Sequence, residues 1–177
     1  MSLLTASKLI AGGHGLAAAL LRRAARLPLD WDTRQKSRFE AVDSQARRIG
    51  VFLPRGAHVR GGDVLVAEDG SLIRVLAAPQ PVLVITPCAE HGTPFDLTRA
   101  AYHLGNRHVP IELAPDHLKI APDHVLADML RAMHLDVEER TAPFEPEGGA
   151  YGGGHGHSHG GSGHHQHGHD DGHDHSH

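Results

Sequence analysis

Cysteine is nearly missing from this chain: Cys88 stands alone among 177 residues. One thiol excludes an intramolecular disulfide and any zinc or iron–sulfur site built on several cysteines. A lone cysteine is most often a small buried hydrophobe. No run of about 18 apolar residues occurs, so no transmembrane helix is expected. Positive charge is not in excess either. The net charge is −4 with neutral histidines, which argues against a nucleic-acid partner. The Ala/Arg-rich stretch Gly15–Leu27 lacks the basic start, apolar stretch and cleavage site of a targeting peptide, so a cytoplasmic protein is expected. Catalytic signatures are missing as well: there is no GxSxG, no GxxxxGK[ST], no HExxH and no cysteine–histidine nucleophile pair. Gly61-Gly62 belongs to a β-turn, without the strand–loop–helix setting of a phosphate site. A hydrolytic metalloenzyme would need a general base, and none is readable. The chain is read as a non-enzyme.

From Gly148 onward apolar residues are almost absent, and such a composition cannot offset backbone entropy. Residues 148–177 are therefore expected to be a disordered Gly/His-rich tail. About 145 residues remain to fold, enough for one ordinary domain or two small ones. Ser2–Ile10 reads as an edge strand, Gly12-Gly13 as a turn and Leu16–Arg26 as a short helix. Strands follow at Arg38–Val42, Ile49–Leu53, Asp63–Ala67 and Leu72–Leu76, with turns at Asp43-Ser44-Gln45, Pro54-Arg55-Gly56 and Asp69-Gly70. This rhythm predicts a small β-domain over residues 1–77, and Ala77–Pro81 reads as the linker.

The rhythm then changes. Val82–Ile85 is a continuous apolar run, as in a strand buried on both faces. Thr93, Pro94 and Asp96 open a helix with a stripe of Leu97, Ala100, Ala101 and Leu104, and Gly105 sits where a left-handed cap is expected. Ile111–Leu113 and Leu118–Ile120 are short strands about Ala114-Pro115-Asp116. Asp123 caps a second helix with the stripe Val125, Leu126, Met129, Leu130 and Met133, and Asp136–Thr141 is a last strand. The order β-α-β-β-α-β predicts a ferredoxin-like domain over residues 81–146, with two helices on one sheet face and the other face left for a partner. The fold class expected is thus α+β.

Histidine is abundant. His155, His157, His159, His164, His165, His167, His169, His173, His175 and His177 place ten imidazoles in 23 residues, with Gly spacers and no Lys or Arg. Such an array can wrap Ni(II), Zn(II) or Cu(II). A solvated pH-sensitive tail and an expression tag are the competing readings, but a tag would be a uniform run. Flexible ligands must be ordered on binding, which suits storage or hand-off of metal. The β-α-β-β-α-β unit over residues 81–146 adds His91, His103, His108, His117, His124 and His134, each alone more often a surface residue than a ligand. His103 and His108 lie about 140° apart on an ideal helix, so they cannot chelate as an i, i+4 pair. His108 alone is one ligand. Near a two-fold axis it would meet its own copy, and tail histidines or water could complete a four- to six-coordinate site.

Five stretches, in order, resemble the UreE family of nickel metallochaperones: LPRG at Leu53–Gly56, RGGDVL at Arg60–Leu65, YHLGNRHVP at Tyr102–Pro110, DHVLADML at Asp123–Leu130 and PFEPEGGAY at Pro143–Tyr151. The resemblance implies an N-terminal domain that engages partners and a ferredoxin-like domain that binds metal and dimerises. It also implies that His108, in GNRH, is the central nickel ligand at the dimer interface, and that His103 and His124 are peripheral metal candidates. Some relatives carry another histidine where this chain has Pro122, and the Ala/Arg-rich start departs from the family pattern. The implied partners are a second copy, a metal-driven tetramer, the urease maturation GTPase and apo-urease. The alternative is a general buffer for zinc, copper or nickel without a client.

Overall fold

The computed structural model describes residues 3–148; residues 149–177, with all ten tail histidines and the expected disorder, lie outside the described residues. Two sheets carry the fold. The first has six strands: β1 (Leu4–Ile10), β2 (Ala25–Leu29), β3 (Arg38–Val42), β4 (Arg48–Phe52), β5 (Val64–Ala67) and β6 (Leu72–Ala77). They lie in the order β2-β6-β5-β1-β4-β3. The pairs β1/β4 and β2/β6 are parallel, and the remaining pairs are antiparallel. Its core is Leu27, Ile49, Val51, Val59, Leu65, Ile73 and Val75.

Two expectations about the start of the chain are corrected. The Ser2–Ile10 strand is no edge: β1 lies between β5 and β4, with the small Ala6 buried at its centre while its neighbours supply the bulk. The Leu16–Arg26 helix shrinks to α1 (Ala18–Arg23), which buries none of its residues. From Ala25 a period of two takes over, with Ala25, Leu27 and Leu29 buried and Arg26 and Pro28 exposed, and burial outweighs helix propensity. Pro28 is tolerated because β2 is an edge strand. A four-residue helix, α2 (Trp31–Arg34), is new; the Asp30 side chain caps it by accepting from the Thr33 N–H at 2.8 Å.

The second sheet has four antiparallel strands: β7 (Gln80–Pro87), β8 (Glu112–Leu113), β9 (Leu118–Ile120) and β10 (Leu135–Ala142), in the order β10-β7-β9-β8. Helices α3 (Pro94–Gly105) and α4 (His124–Ala132) complete the element order β-α-β-β-α-β. Because β7 already includes Gln80 and Pro81, the expected five-residue linker contracts to Ala78-Pro79. Val82–Ile85 is buried on both faces. Leu83 and Ile85 meet the helices through Leu97, Ala100, Leu104 and Leu130. Val82 and Val84 meet Phe144 and Trp31. At β7, then, the face expected to be free for a partner is covered by this chain itself. The stripe of α4 is corrected at one position: Leu126, Met129, Leu130 and Met133 pack into the core beside the buried Ala127, whereas Val125 is 63% exposed.

Candidate metal centre

His108 owes its position to the way α3 ends. Gly105 is the last residue of the helix and its φ is not positive; the left-handed residue is His108, at φ 56°. The His108 N–H donates to the Gly105 carbonyl at 2.9 Å, and the Val109 N–H reaches back to the Leu104 carbonyl at 3.2 Å. These are the two bonds of a Schellman motif, and Val109 packs in the same apolar cluster as Leu104, as that motif prefers. The cap position that Gly commonly fills is therefore taken by a histidine, which tolerates it better than most side chains but at a cost. His108 is exposed there, just past the end of the helix. The expectation that Gly105 supplies the left-handed cap is wrong by three residues, because the last turn continues through Asn106 and Arg107.

The neighbouring groups are well tied. Asp96 accepts from the Thr93 N–H at 2.8 Å, and this bond holds its carboxyl below the usual carboxylate range. Arg107 donates to the His103 carbonyl at 2.8 Å. His103 is half-buried, its ring edge-on to Tyr102 with centroids 5.4 Å apart. His124 lies elsewhere, at the first position of α4, where it lines an open cleft of about 400 Å³ with Asp123, Arg131 and Glu139. Among the described residues no three His, Cys, Asp or Glu side chains come together as a metal site. His103, His108 and His124 thus do not form one centre within a chain. Imidazole is a fitting donor for nickel, but the described residues of one chain bring too few of them to one place.

The chain matches the C-terminal domain of the UreE urease accessory protein over residues 80–177 and the N-terminal domain over residues 6–78. The chain belongs to the UreE family. The two matches meet at residues 78–80, where β6 gives way to β7, so the two sheets correspond to the two UreE domains. The urease accessory protein UreE of Albidiferax ferrireducens is 76% identical over 154 residues, covering 86% of this chain and 88% of its own length. That of Paracidovorax citrulli is 75% identical over 154 residues, covering 86% and 73%. That of Burkholderia ambifaria is 52% identical over 151 residues, covering 85% and 73%.

One set of residues escaped sequence reasoning. Arg34 is fully buried, and burial pulls its guanidinium below its ordinary value while the Glu145 carboxylate opposes the shift. It donates to Glu145, to the Phe144 carbonyl and to the Leu29 carbonyl. Arg60 approaches Glu145 at 3.6 Å and donates to the Pro146 carbonyl at 2.8 Å. The Gly61 N–H donates to Glu145 at 3.0 Å, and a Cβ on Gly61 would stand 3.1 Å from that carboxylate. Glycine is what lets the backbone come so close. The stretch Pro143–Tyr151 and Gly61 were both visible as motifs, but nothing local reveals that Glu145 meets Gly61 across 84 residues and Arg34 across 111.

Proposed function

We propose that this protein carries nickel for urease assembly in the cytoplasm, as a homodimer in which paired His108 side chains hold the ion and the histidine tail gathers it. The observation that carries the reading is the exposed His108 at the end of α3 in a UreE chain whose described residues offer no complete site. A two-fold axis through this point would double the ligands and leave positions for tail imidazoles, His103 or water. The outer stripe of α3 supports such a contact: Phe95 and Tyr102, seven residues apart, are 65% and 66% exposed. The strand order β10-β7-β9-β8 supports a ferredoxin-like metal-binding domain, and the β-rich half is read as the surface for the urease maturation GTPase and apo-urease. Nickel is the cargo, so its ligands must release it as readily as they take it, and a site assembled from exposed side chains suits that. His124 is kept as a weaker peripheral ligand.

Calorimetry with nickel on the wild type, on His108→Gly and on a chain stopped at Gly154 tests the reading. Loss of the tightest site per dimer in His108→Gly is expected, with fewer bound ions after truncation. An intact tight site in His108→Gly would sink the central assignment. A general buffer for divalent metal would instead show many similar sites and no co-purifying GTPase.

A further inference from the structure

The Ala/Arg-rich start of the chain has no part in nickel binding, yet the fold gives it a definite place. A Cβ on Gly13 would stand 2.9 Å from Leu21 and 3.2 Å from Val64, so α1 lies over β5 on the outer face of the first sheet. On that face Arg26 of β2 and Arg74 of β6 are register partners on parallel strands, and both are exposed. Neighbouring strands run about 4.8 Å apart. The two guanidinium groups therefore leave the sheet side by side, and like charges so placed repel. Lys8, in register with Val66 of β5, and Arg22 and Arg23 of α1 are exposed cations too. Among the described residues none of these five makes an ion pair, whereas Arg47, Arg48 and Arg60 of the same domain each hold a carboxylate. Next to them lies an open cleft of about 530 Å³, lined by Leu16, Leu20, Arg23, Arg47 and Leu72. Leu20 on its wall is 47% exposed.

We infer that this face is a docking surface for an acidic protein segment, whose carboxylates meet Arg22, Arg23, Arg26 and Arg74 while an apolar side chain enters the cleft beside Leu20. The inference deepens the reading of the β-rich half as a partner surface, and rests on that reading for its biological setting. Charge complementarity carries it. Residues 1–77 hold 12 Lys and Arg against 7 Asp and Glu, in a chain that is acidic as a whole. At the cleft, Asp43 and Asp69 are already engaged by Arg47 and so leave the five cations unanswered. An incoming carboxylate would relieve the repulsion between Arg26 and Arg74, so part of the affinity comes from a cost the free protein already bears. The docking is by side chains and not by an added strand. At the edge, the Arg26 N–H donates to Ser44 Oγ at 2.9 Å, its carbonyl accepts from the Ser44 N–H at 2.8 Å, and Pro28 has no N–H to offer. Nucleic acid suits the face less well, because α1, β2 and β6 contain no aromatic ring on which a base could stack.

The test uses the full chain and a fluorescein-labelled glutamate-rich peptide with one central leucine, titrated by anisotropy. A second peptide has glycine in place of that leucine. The paired change Arg26→Gln with Arg74→Gln is expected to weaken the leucine peptide by about fivefold or more. Leu20→Ser is expected to weaken the leucine peptide and to leave the glycine peptide unchanged. Arg38→Gln with Arg55→Gln removes the same charge from exposed sites on β3 and in the turn after β4, and should change nothing. The urea midpoint of the Arg26/Arg74 variant should equal or exceed that of the wild type, since a repulsion is removed. Equal losses in the Arg38/Arg55 control would mean attraction by net charge alone and overturn the inference, as would full binding by the Arg26/Arg74 variant. Tighter binding of oligothymidylate or of phosphatidylserine vesicles than of the peptide at this face would overturn it in favour of those ligands. A dimer mass that falls in the Arg26/Arg74 variant would assign the face to a second copy instead. Failure of the wider reading looks different: the Arg26/Arg74 variant would lose the peptide yet support urease maturation as well as the wild type.

Discussion

A histidine in the left-handed region stores strain that glycine would not, of about 1 kcal/mol. His108 sits in that position although Gly105 lies only three residues before it, in ordinary helical conformation. Two opposite outcomes follow. Gly105→Ala should raise stability by about 0.5–1 kcal/mol, because a Cβ there meets nothing within 4 Å and alanine is the better helix former. Had Gly105 been the left-handed cap, the same change would lower it, and urea denaturation separates the two. His108→Gly should leave stability equal or up to about 1 kcal/mol higher while removing the tight nickel site, so that loss of binding cannot be blamed on misfolding. Asp43 gives a pH-dependent case. Burial works to raise its carboxyl, but hydrogen bonds from Arg47 and Gln45 outweigh this and hold it below its usual range. Its contribution is complete above the ordinary aspartate value of about 3.9 and disappears as pH falls through the lowered native one. Asp43→Asn should therefore be less stable at neutral pH and flatten the acid limb of stability below about pH 4, measured by urea midpoints across pH.

Among the elements, those with strong internal periodicity were readable and those defined by a distant partner were not. Strand β7 was legible because four consecutive apolar residues leave no polar face, and α3 and α4 because Thr93 and Asp123 announce their starts. Strand β2 was misread because Ala, Leu and Arg favour helix locally, and only the parallel partner β6 makes the alternation of Ala25, Leu27 and Leu29 decisive. The stretch after β10 contains a single large apolar residue, so it reads as coil, yet Phe144 closes the outer face of β7. Phe144→Ala should cost about 3–5 kcal/mol, a core-sized loss, seen as a shifted urea midpoint. A loss below 1 kcal/mol would mean that the segment is only loosely laid on the sheet.

At the scale of the whole molecule the proposed site depends on assembly. Tyr102→Glu keeps every histidine but puts a charge on the exposed stripe of α3. If that stripe pairs two copies, the variant should run as a monomer by light scattering and lose the tight nickel class along with the dimer. A monomer that still binds one nickel tightly would sink the shared site, whereas a dimer that persists would move the interface elsewhere.

Legible from the residues alone were the composition-level facts: one cysteine, ten tail histidines, the succession of a strand-rich half and a β-α-β-β-α-β half, and the motifs that place the chain in the UreE family. These are set by residue type and short-range period, which need no partner to be read. Tertiary structure decided which residue caps α3, where β1 and β2 lie in their sheet, and that Arg34 and Glu145 meet. Each of those is a contest between local preference and burial against something far along the chain, and only the folded molecule brings the two contestants together. His108 belongs to both accounts: its motif was legible, while its left-handed, exposed setting at the end of α3 was not.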